Sequence, residues 1–351
     1  MTWLEKVTAE EIIVSWESIT STNEFEFLFP FKRQIGLKFE FVKGKDNKNV
    51  ALVSTGFNTN VLYRDRIGFE ELRGSMPFFK EAFAIDEDTR QDLLQASTNP
   101  QYLNILLDKV FDDTDNLMQS AEITAEKMRA MIVSQGTISI VENGVNMSYD
   151  YGFDSSKQFK DLGTGNYWGA EKVKPLETIE NAIDAYREEH EQADPEYIVM
   201  SRKLFNKYIR KDAEVIQHFA SLSVPNPYPT KDQVIAYVES LFDIKFIISE
   251  NTYRKARDFE GTPVAMYPTD RFTLIGTGTL GNTLYGTTPE EADLAAGIAK
   301  ADVAVSSKGV AVTTWVTNDP VNKSIKVSEV CIPTCPQLDK LYIVKVLNSA
   351  E

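Results

Sequence analysis

Between residues 34 and 86 the apolar positions alternate with others. Ile35, Leu37, Phe39 and Phe41 interleave with Gly36, Lys38, Glu40 and Val42, the period of two that a strand requires. A charged turn, Lys43 to Asn49, follows, and Ala51-Leu52-Val53 resumes the strand signal. Residues 60–74 are dense in both charge signs, with Arg64, Asp65, Arg66, Glu70, Glu71 and Arg73, and Phe78, Phe79, Phe83 and Ile85 lead back. The pattern predicts a long, largely two-stranded ribbon with a charged tip. Such a ribbon is marginal alone in water, so it needs a surface to lie on. Its own domain or another subunit would serve.

The period then changes. Leu103, Leu107, Val110, Leu117, Ala121, Met128 and Met131 recur at threes and fours, which predicts a helix over 100–135. Asn99 is placed to cap it, Pro100 fits the first helical position, and Gly136 suits the residue beyond its end. At 1.5 Å per residue it would run about 50 Å. Asp108, Asp112 and Asp115 share one face and read as a solvated stripe rather than a cation site.

The remaining elements are shorter. Residues 1–33 form an arm with a short helical run around Ile12, Ile13 and Trp16, then the aromatic stretch Phe25, Phe27, Phe29, Phe31. Docking on its own domain and docking on a neighbour are both open. Thr137–Val141 and Val145–Gly152 flank the turn Glu142-Asn143-Gly144, whose Asn-Gly is a strong short-range hairpin signal. Residues 153–174 read as loop, and 175–249 alternate helix and strand, with Ser201 and Thr230 as candidate caps. Strands dominate the last third: 264–267, 272–275, 303–305, 310–316, 325–332 and 341–346.

Composition narrows the function classes. The chain has 351 residues, 42% hydrophobic and 25% charged, with a net charge of −15. Wholesale disorder does not fit, and neither does tight wrapping of nucleic acid by neutralising phosphates. No apolar run is long enough to span a membrane, and no signal peptide is visible near the start. Cys331 and Cys335 have only His190 and His218 to complete a metal set, so no metal is expected. His190 reads as a solvated helix end and His218 as structural. Gly276, Gly278 and Gly281 fit G-x-G-x-x-G after a strand, but Asn282–Pro289 is a poor helix. A dinucleotide-binding enzyme therefore stands as the alternative reading, and no cofactor is expected on the main one.

Four segments in order carry a resemblance. They are Ala125-Glu126-Lys127-Met128-Arg129-Ala130 leading to Gln135-Gly136, Thr178-Ile179-Glu180-Asn181-Ala182, Tyr267 to Gly276 running on to Leu284-Tyr285-Gly286, and Thr314 to Pro320. With the arm, ribbon and long helix, the chain resembles the lambda-type major capsid proteins of tailed phages, the phage capsid E family. The resemblance implies an α+β fold of the Hong Kong 97 capsid type. It implies an N-arm (1–33), an E-loop (34–86), a P-domain (87–174) with spine helix 100–135, and an A-domain (175–284). P-domain strands (285–337) and a final A-domain strand (338–351) would follow. The function implied is a structural, non-enzymatic shell subunit that self-assembles into hexamers and pentamers of an icosahedral head. Its location would be the virion, with assembly in the bacterial host cytoplasm. Implied partners are further copies of the chain, a scaffolding protein, a portal protein, a decoration protein and, through weak non-specific contact, packaged double-stranded DNA. No membrane is involved. Contacts between subunits would fall at the ribbon tip, on Arg64, Asp65, Arg66, Glu70, Glu71 and Arg73, and Gly68, Gly74 and Gly152 are hinge candidates. An encapsulin-like compartment shell is a further alternative with the same fold.

Overall fold

The computed structural model describes residues 7–17, 23–43, 70–85, 87–96, 100–142, 145–191, 193–221, 229–254, 261–318 and 321–348. In chain order the elements begin with α1 (Ala9–Glu17), β1 (Phe31–Arg33), β2 (Lys38–Lys43), β3 (Glu70–Ser75) and β4 (Phe78–Ile85). Next come α2 (Glu87–Ala96), α3 (Pro100–Gln135), β5 (Thr137–Glu142), β6 (Val145–Asp150), β7 (Phe159–Asp161), α4 (Pro175–Glu189) and β8 (Tyr197–Ser201). After a short helix and a π-turn lie α5 (Ala213–Ser221), α6 (Lys231–Phe242), β9 (Lys245–Ser249), β10 (Thr252–Tyr253), β11 (Val264–Ala265) and β12 (Arg271–Ile275). The chain ends with β13 (Asn282–Tyr285), α7 (Pro289–Ala295), β14 (Asp302–Val305), β15 (Ala311–Asn318), β16 (Val321–Thr334) and β17 (Leu341–Lys345). No helix among the described residues is long and apolar enough to cross a membrane.

Two compact units form. The first takes residues 1–40, 73–129 and 281–334, and the second takes 41–72, 130–280 and 335–351. In the first, a six-stranded sheet runs β1-β13-β16-β15-β14, with β4 also paired to β16. Strand β16 organises it. Along its 14 residues it pairs antiparallel with β15 (Ala311↔Ser328 to Asn318↔Val321), β4 (Lys323↔Ile85 to Val330↔Phe78) and β13 (Asn282↔Thr334 to Tyr285↔Cys331). One strand thus collects three segments far apart in sequence. Val312, Ile325, Val327, Val330 and Ile332 are buried in this unit.

The arm docks on its own unit. Thr8 Oγ1 accepts from the Glu11 N–H at 3.2 Å, capping α1. One face of α1, Ile12, Ile13 and Trp16, is buried against β14 and β15. Phe25, Leu28 and Phe29 are fully buried, and β1 pairs parallel with β13. Each such side chain contributes about 1.5–3 kcal/mol. Of the two dockings open in the sequence, the described arm takes the one on its own domain, through buried Phe25 and Phe29, while Phe27 and Phe31 stay exposed.

Helix α3 runs 36 residues from Pro100 to Gln135 and stops where Gly136 turns left-handed at φ 70°, its N–H donating to Ile132 O at 2.8 Å. Its expected cap, Asn99, lies outside the described residues. Leu107, Val110, Leu117, Met118, Ala121, Ala125, Met128 and Ile132 form its buried stripe. The expected hairpin β5–β6 follows, paired from Thr137↔Asp150 to Glu142↔Val145, so Glu142 belongs to the strand.

In the second unit a five-stranded sheet is ordered β7-β17-β12-β8-β9. Helices α4 and α6 supply Ile179, Ile183, Tyr186, Val234 and Val238 to a core shared with Ile198, Met200, Phe272, Leu274 and Val344. Thr230 caps α6 in a reciprocal box with Gln233, and Ser201 Oγ accepts from Leu204 N–H. The expected domain boundary falls at residue 175. Segment 151–174 nonetheless joins this unit, because β7 pairs with β17 and Trp168 stacks on Phe272 with ring centroids 5.8 Å apart.

Gly136 is doubly constrained, by its positive φ and by the Phe153 ring 2.4 Å from where a Cβ would stand. Gly136→Ala is therefore expected to lower stability by about 2 kcal/mol or more, read as a shift in denaturation midpoint.

Candidate assembly site

At the root of the ribbon Ile35 is the most exposed large apolar side chain among the described residues. Gln34 N–H donates to Tyr285 O (2.9 Å), Gly36 N–H to Thr287 Oγ1 (3.1 Å), Thr287 N–H to Gly36 O (3.2 Å) and Met76 N–H to Leu37 O (2.7 Å). These four bonds hold Ile35 outward with 95% of its surface in contact with water, and Leu37 is 47% exposed. The fit beneath is close, since a Cβ on Gly286 would meet Gly36 O at 2.6 Å and Val330 Cγ1 at 2.8 Å. A water-exposed isoleucine on a clamped backbone is suited to burial by a partner, because little ordering entropy remains to be lost.

Strands β2 and β3 pair as a two-stranded ribbon. Arg64, Asp65, Arg66 and Gly68 lie outside the described residues, and of Glu70 and Glu71 only their place at the start of β3 is described. Arg73 Nη2 reaches Glu40 Oε1 at 3.3 Å with both side chains exposed, a pair worth little in stability. At Gly74 a Cβ would lie 2.7 Å from two Phe39 ring atoms, so that glycine admits a buried ring. Gly152 has φ 73° just after β6, its N–H bound to Asp150 Oδ1.

Beneath the arm lies a buried charge cluster. Arg129, wholly inaccessible to water, donates from Nη1 to Glu126 Oε2 (2.9 Å) and from Nε to Thr283 Oγ1 (2.9 Å). Glu126 Oε1 accepts the Phe25 N–H at 2.7 Å. Thr283 Oγ1 donates to Phe29 O at 2.9 Å. Lys308 Nζ bridges Glu122 (2.9 Å) and Glu26 (3.3 Å), and Asn23 Nδ2 donates to the same two carboxylates. Glu329 on β16 completes the group. Neither of its oxygens meets a nitrogen or oxygen donor, and the Cys331 thiol is its polar neighbour. Burial, with Glu122 nearby, pushes the Glu329 carboxyl up to about 8. At neutral pH it keeps its proton, so three carboxylates face two cations.

A family model described as "Phage major capsid protein E" matches residues 27–346. The chain belongs to this family. No curated protein sequence matches it. Among solved structures, a putative capsid protein of an Escherichia coli CFT073 prophage aligns with TM-score 0.62 at 13% identity, covering 97% of this chain and 99% of that one. A phage-related protein from Bordetella bronchiseptica RB50 gives 0.56 at 11% identity, covering 97% of each chain. The capsid asymmetric unit of cyanophage A-1(L) gives 0.51 at 12%, covering 94% and 93%. The α+β fold is that of Hong Kong 97-like capsid proteins, and the chain is a structural major capsid subunit.

In this capsid subunit the glycine motif does not hold a nucleotide. Gly276, Gly278 and Gly281 join β12 to β13, two strands, whereas a phosphate cradle needs a helix to begin there. Gly276 instead leaves room for the Tyr186 hydroxyl, 2.4 Å from where a Cβ would be, and Lys340 Nζ donates to Thr277 O (2.6 Å). The dinucleotide reading is thereby overturned. His190 is also not a solvated end. Its ring stacks on Tyr186 (4.0 Å between centroids), and its nitrogens meet Tyr186 O and Asp339 O at 2.8 and 2.6 Å. His218 stacks on Tyr237 at 4.0 Å. Asp108 and Asp112 are exposed, and burial with Asp112 nearby raises the Asp115 carboxyl. The Arg129 cluster was missed as chemistry. Its signal was Glu122, Glu126 and Arg129 at i, i+4 and i+7 on the face of α3 that carries Met118 and Ala125.

Two outcomes follow from the cluster. Between pH 4.5, the ordinary glutamate value, and about 8, folded Glu329 holds a proton that the unfolded chain has lost. Its contribution is therefore complete below the lower value and declines by about 1.4 kcal/mol per pH unit through the window. Glu329→Gln is expected to melt higher than the parent chain at pH 8 and to converge with it near pH 4.5. Arg129→Met leaves Glu126 buried without its partner and is expected to cost about 3–5 kcal/mol. Adding Glu126→Gln should recover much of that loss, as measured in a denaturant double-mutant cycle.

Proposed function

We propose that the chain builds the head of a tailed double-stranded DNA phage as hexamers and pentamers of an icosahedral shell. The observation that carries this beyond family membership is the clamped, water-exposed Ile35 at the root of a ribbon too thin to stand alone. In this reading residues 34–86 are the E-loop that reaches a neighbouring copy. Helix 100–135 is the P-domain spine, and the sheet around β8, β12 and β17 is the A-domain. The charged residues from Arg64 to Arg73 set register more than affinity, since rim charges act mainly on orientation and encounter. Gly68 and Gly152 are the places where one chain adapts to two ring sizes. The arm, tied down within its own unit, acts as a base for the ribbon.

A separate scaffolding protein, a portal protein and a decoration protein are the proposed partners, with assembly in the bacterial host cytoplasm before the subunit resides in the virion. A net charge of −15 suits a wall that touches packaged DNA weakly and non-specifically. The reading assigns no enzymatic activity. A phage family model across residues 27–346 favours a head over an encapsulin-like compartment.

Negative-stain electron microscopy of the expressed chain, alone and with its scaffolding protein, is expected to show closed shells. Only small discrete oligomers under both conditions would count against the proposal. Ile35→Asp should leave the subunit folded, because the side chain touches little of its own unit. It should raise the concentration needed for assembly about tenfold or more, since each contact loses a buried isoleucine.

A further inference from the structure

The five-stranded sheet of the second unit ends at β7, and that edge is open among the described residues. Ile343 N–H donates to Gln158 O (2.8 Å) and Leu162 N–H to Lys345 O (3.2 Å). In this parallel pair Gln158, Lys160 and Leu162 therefore turn their backbone groups to β17, and Phe159 and Asp161 turn theirs outward. Beside the edge runs a groove between the sheet and α4. Leu162, Val173, Ala185 and Tyr342 line its floor, and Lys160, Lys172 and Lys174 rim it together with Glu177. Lys174 pairs with Glu214 at 3.0 Å, whereas no carboxylate of the described residues pairs with Lys160 or Lys172. With Glu214 and Glu177 beside Lys174, the surplus positive charge at the rim rests on Lys160 and Lys172.

We infer that the groove between β7 and α4 docks an extended acidic peptide segment of another protein, which adds to β7 as a further strand. The outward groups of Phe159 and Asp161 would bond its backbone. Alternate side chains would fall toward α4, apolar ones onto the floor and carboxylates against Lys160 and Lys172. The slot favours a peptide over DNA, because a duplex offers no strand edge and no apolar side chain. A separate protein fits better than a second copy. The paired acids Glu10-Glu11, Glu87-Asp88, Asp112-Asp113, Glu188-Glu189 and Glu290-Glu291 of this chain lie in helices, which cannot extend a sheet. The sequences of the ribbon strands carry Lys38, Lys43 and Arg73 beside Glu40, Glu70 and Glu71, so the strand pair is not acidic overall. The inference holds independently of shell geometry.

The test is fluorescence anisotropy of the full chain with a blocked, labelled peptide of alternating aspartate and valine. Saturable binding is expected, weakened about tenfold by Lys160→Glu with Lys172→Glu, both exposed positions where folding is retained. Amide exchange should slow at Phe159 and Asp161 when the peptide is bound. Absence of binding, equal binding of a lysine–valine peptide, or preference for a short DNA duplex would overturn the inference. So would loss of self-association in the double variant without peptide, which would make the groove a contact between copies.

Discussion

A guanidinium sealed from water governs the first unit. Arg129 cannot keep its charge there without partners, because an unpaired buried ion costs several kcal/mol. It finds them in Glu126 on its own helix and Thr283 on β13. Each partner is engaged a second time, Glu126 by the Phe25 N–H and Thr283 through its hydroxyl to Phe29 O. Helix, sheet and arm are thus held to one another by bonds whose loss would strand a charge. Apolar packing of Phe25, Leu28 and Phe29 supplies area, and the cluster supplies register. A greasy arm could slide on a greasy sheet, but an arm whose N–H and C=O meet a buried carboxylate and hydroxyl has a single seat.

That seat divides what the chain completes for itself from what it leaves open. The arm and the ribbon both read as segments in need of a surface. The arm finds its surface within its own unit, through α1 on β14 and β15 and through β1 on β13. At the ribbon root the same kind of backbone bonding holds Ile35 in water. Rigidity that hides no apolar side chain has no purpose inside the subunit, whereas it lowers the entropy lost on association. An assembling subunit requires that distinction.

Most of the architecture was legible because its signals are local. The three-and-four spacing from Leu103 to Met131, Gly136 beyond it, and Thr230 at the start of its helix each depend on residues within one or two turns. Asn143-Gly144 predicted a hairpin in the same way. What depended on distant partners was not legible. Nothing near Phe159 announces that three residues in a glycine-rich loop pair with β17. Nothing near His190 announces a carbonyl from Asp339. The G-x-G-x-x-G run misled because glycine has two uses. One is to admit a phosphate, and the other is to admit a neighbouring side chain, here Tyr186 at Gly276. The Arg129 cluster lay between these cases. Charged residues on the apolar stripe of α3 were visible, but their meaning required seeing which strands covered them.

Glu329 shows why a perturbed carboxyl need not mark catalysis. Strongly shifted groups gather at active sites because a reacting group must be both tuned and reachable. Glu329 is tuned, with burial lifting it to about 8, yet it lies inside the sheet with the Cys331 thiol as its polar neighbour. Among the described residues, a cleft around Asp270 and Arg271 and the groove beside β7 each include no member of its cluster. A carboxyl that stays neutral in a dry interior needs fewer cations around it. The two available, Arg129 and Lys308, remain for Glu26, Glu122 and Glu126, which hold the arm. The shift is thus a consequence of concentrating fastening groups where β16 passes beneath α3, and it accounts for an acidic residue on the most central strand of the sheet without recourse to chemistry.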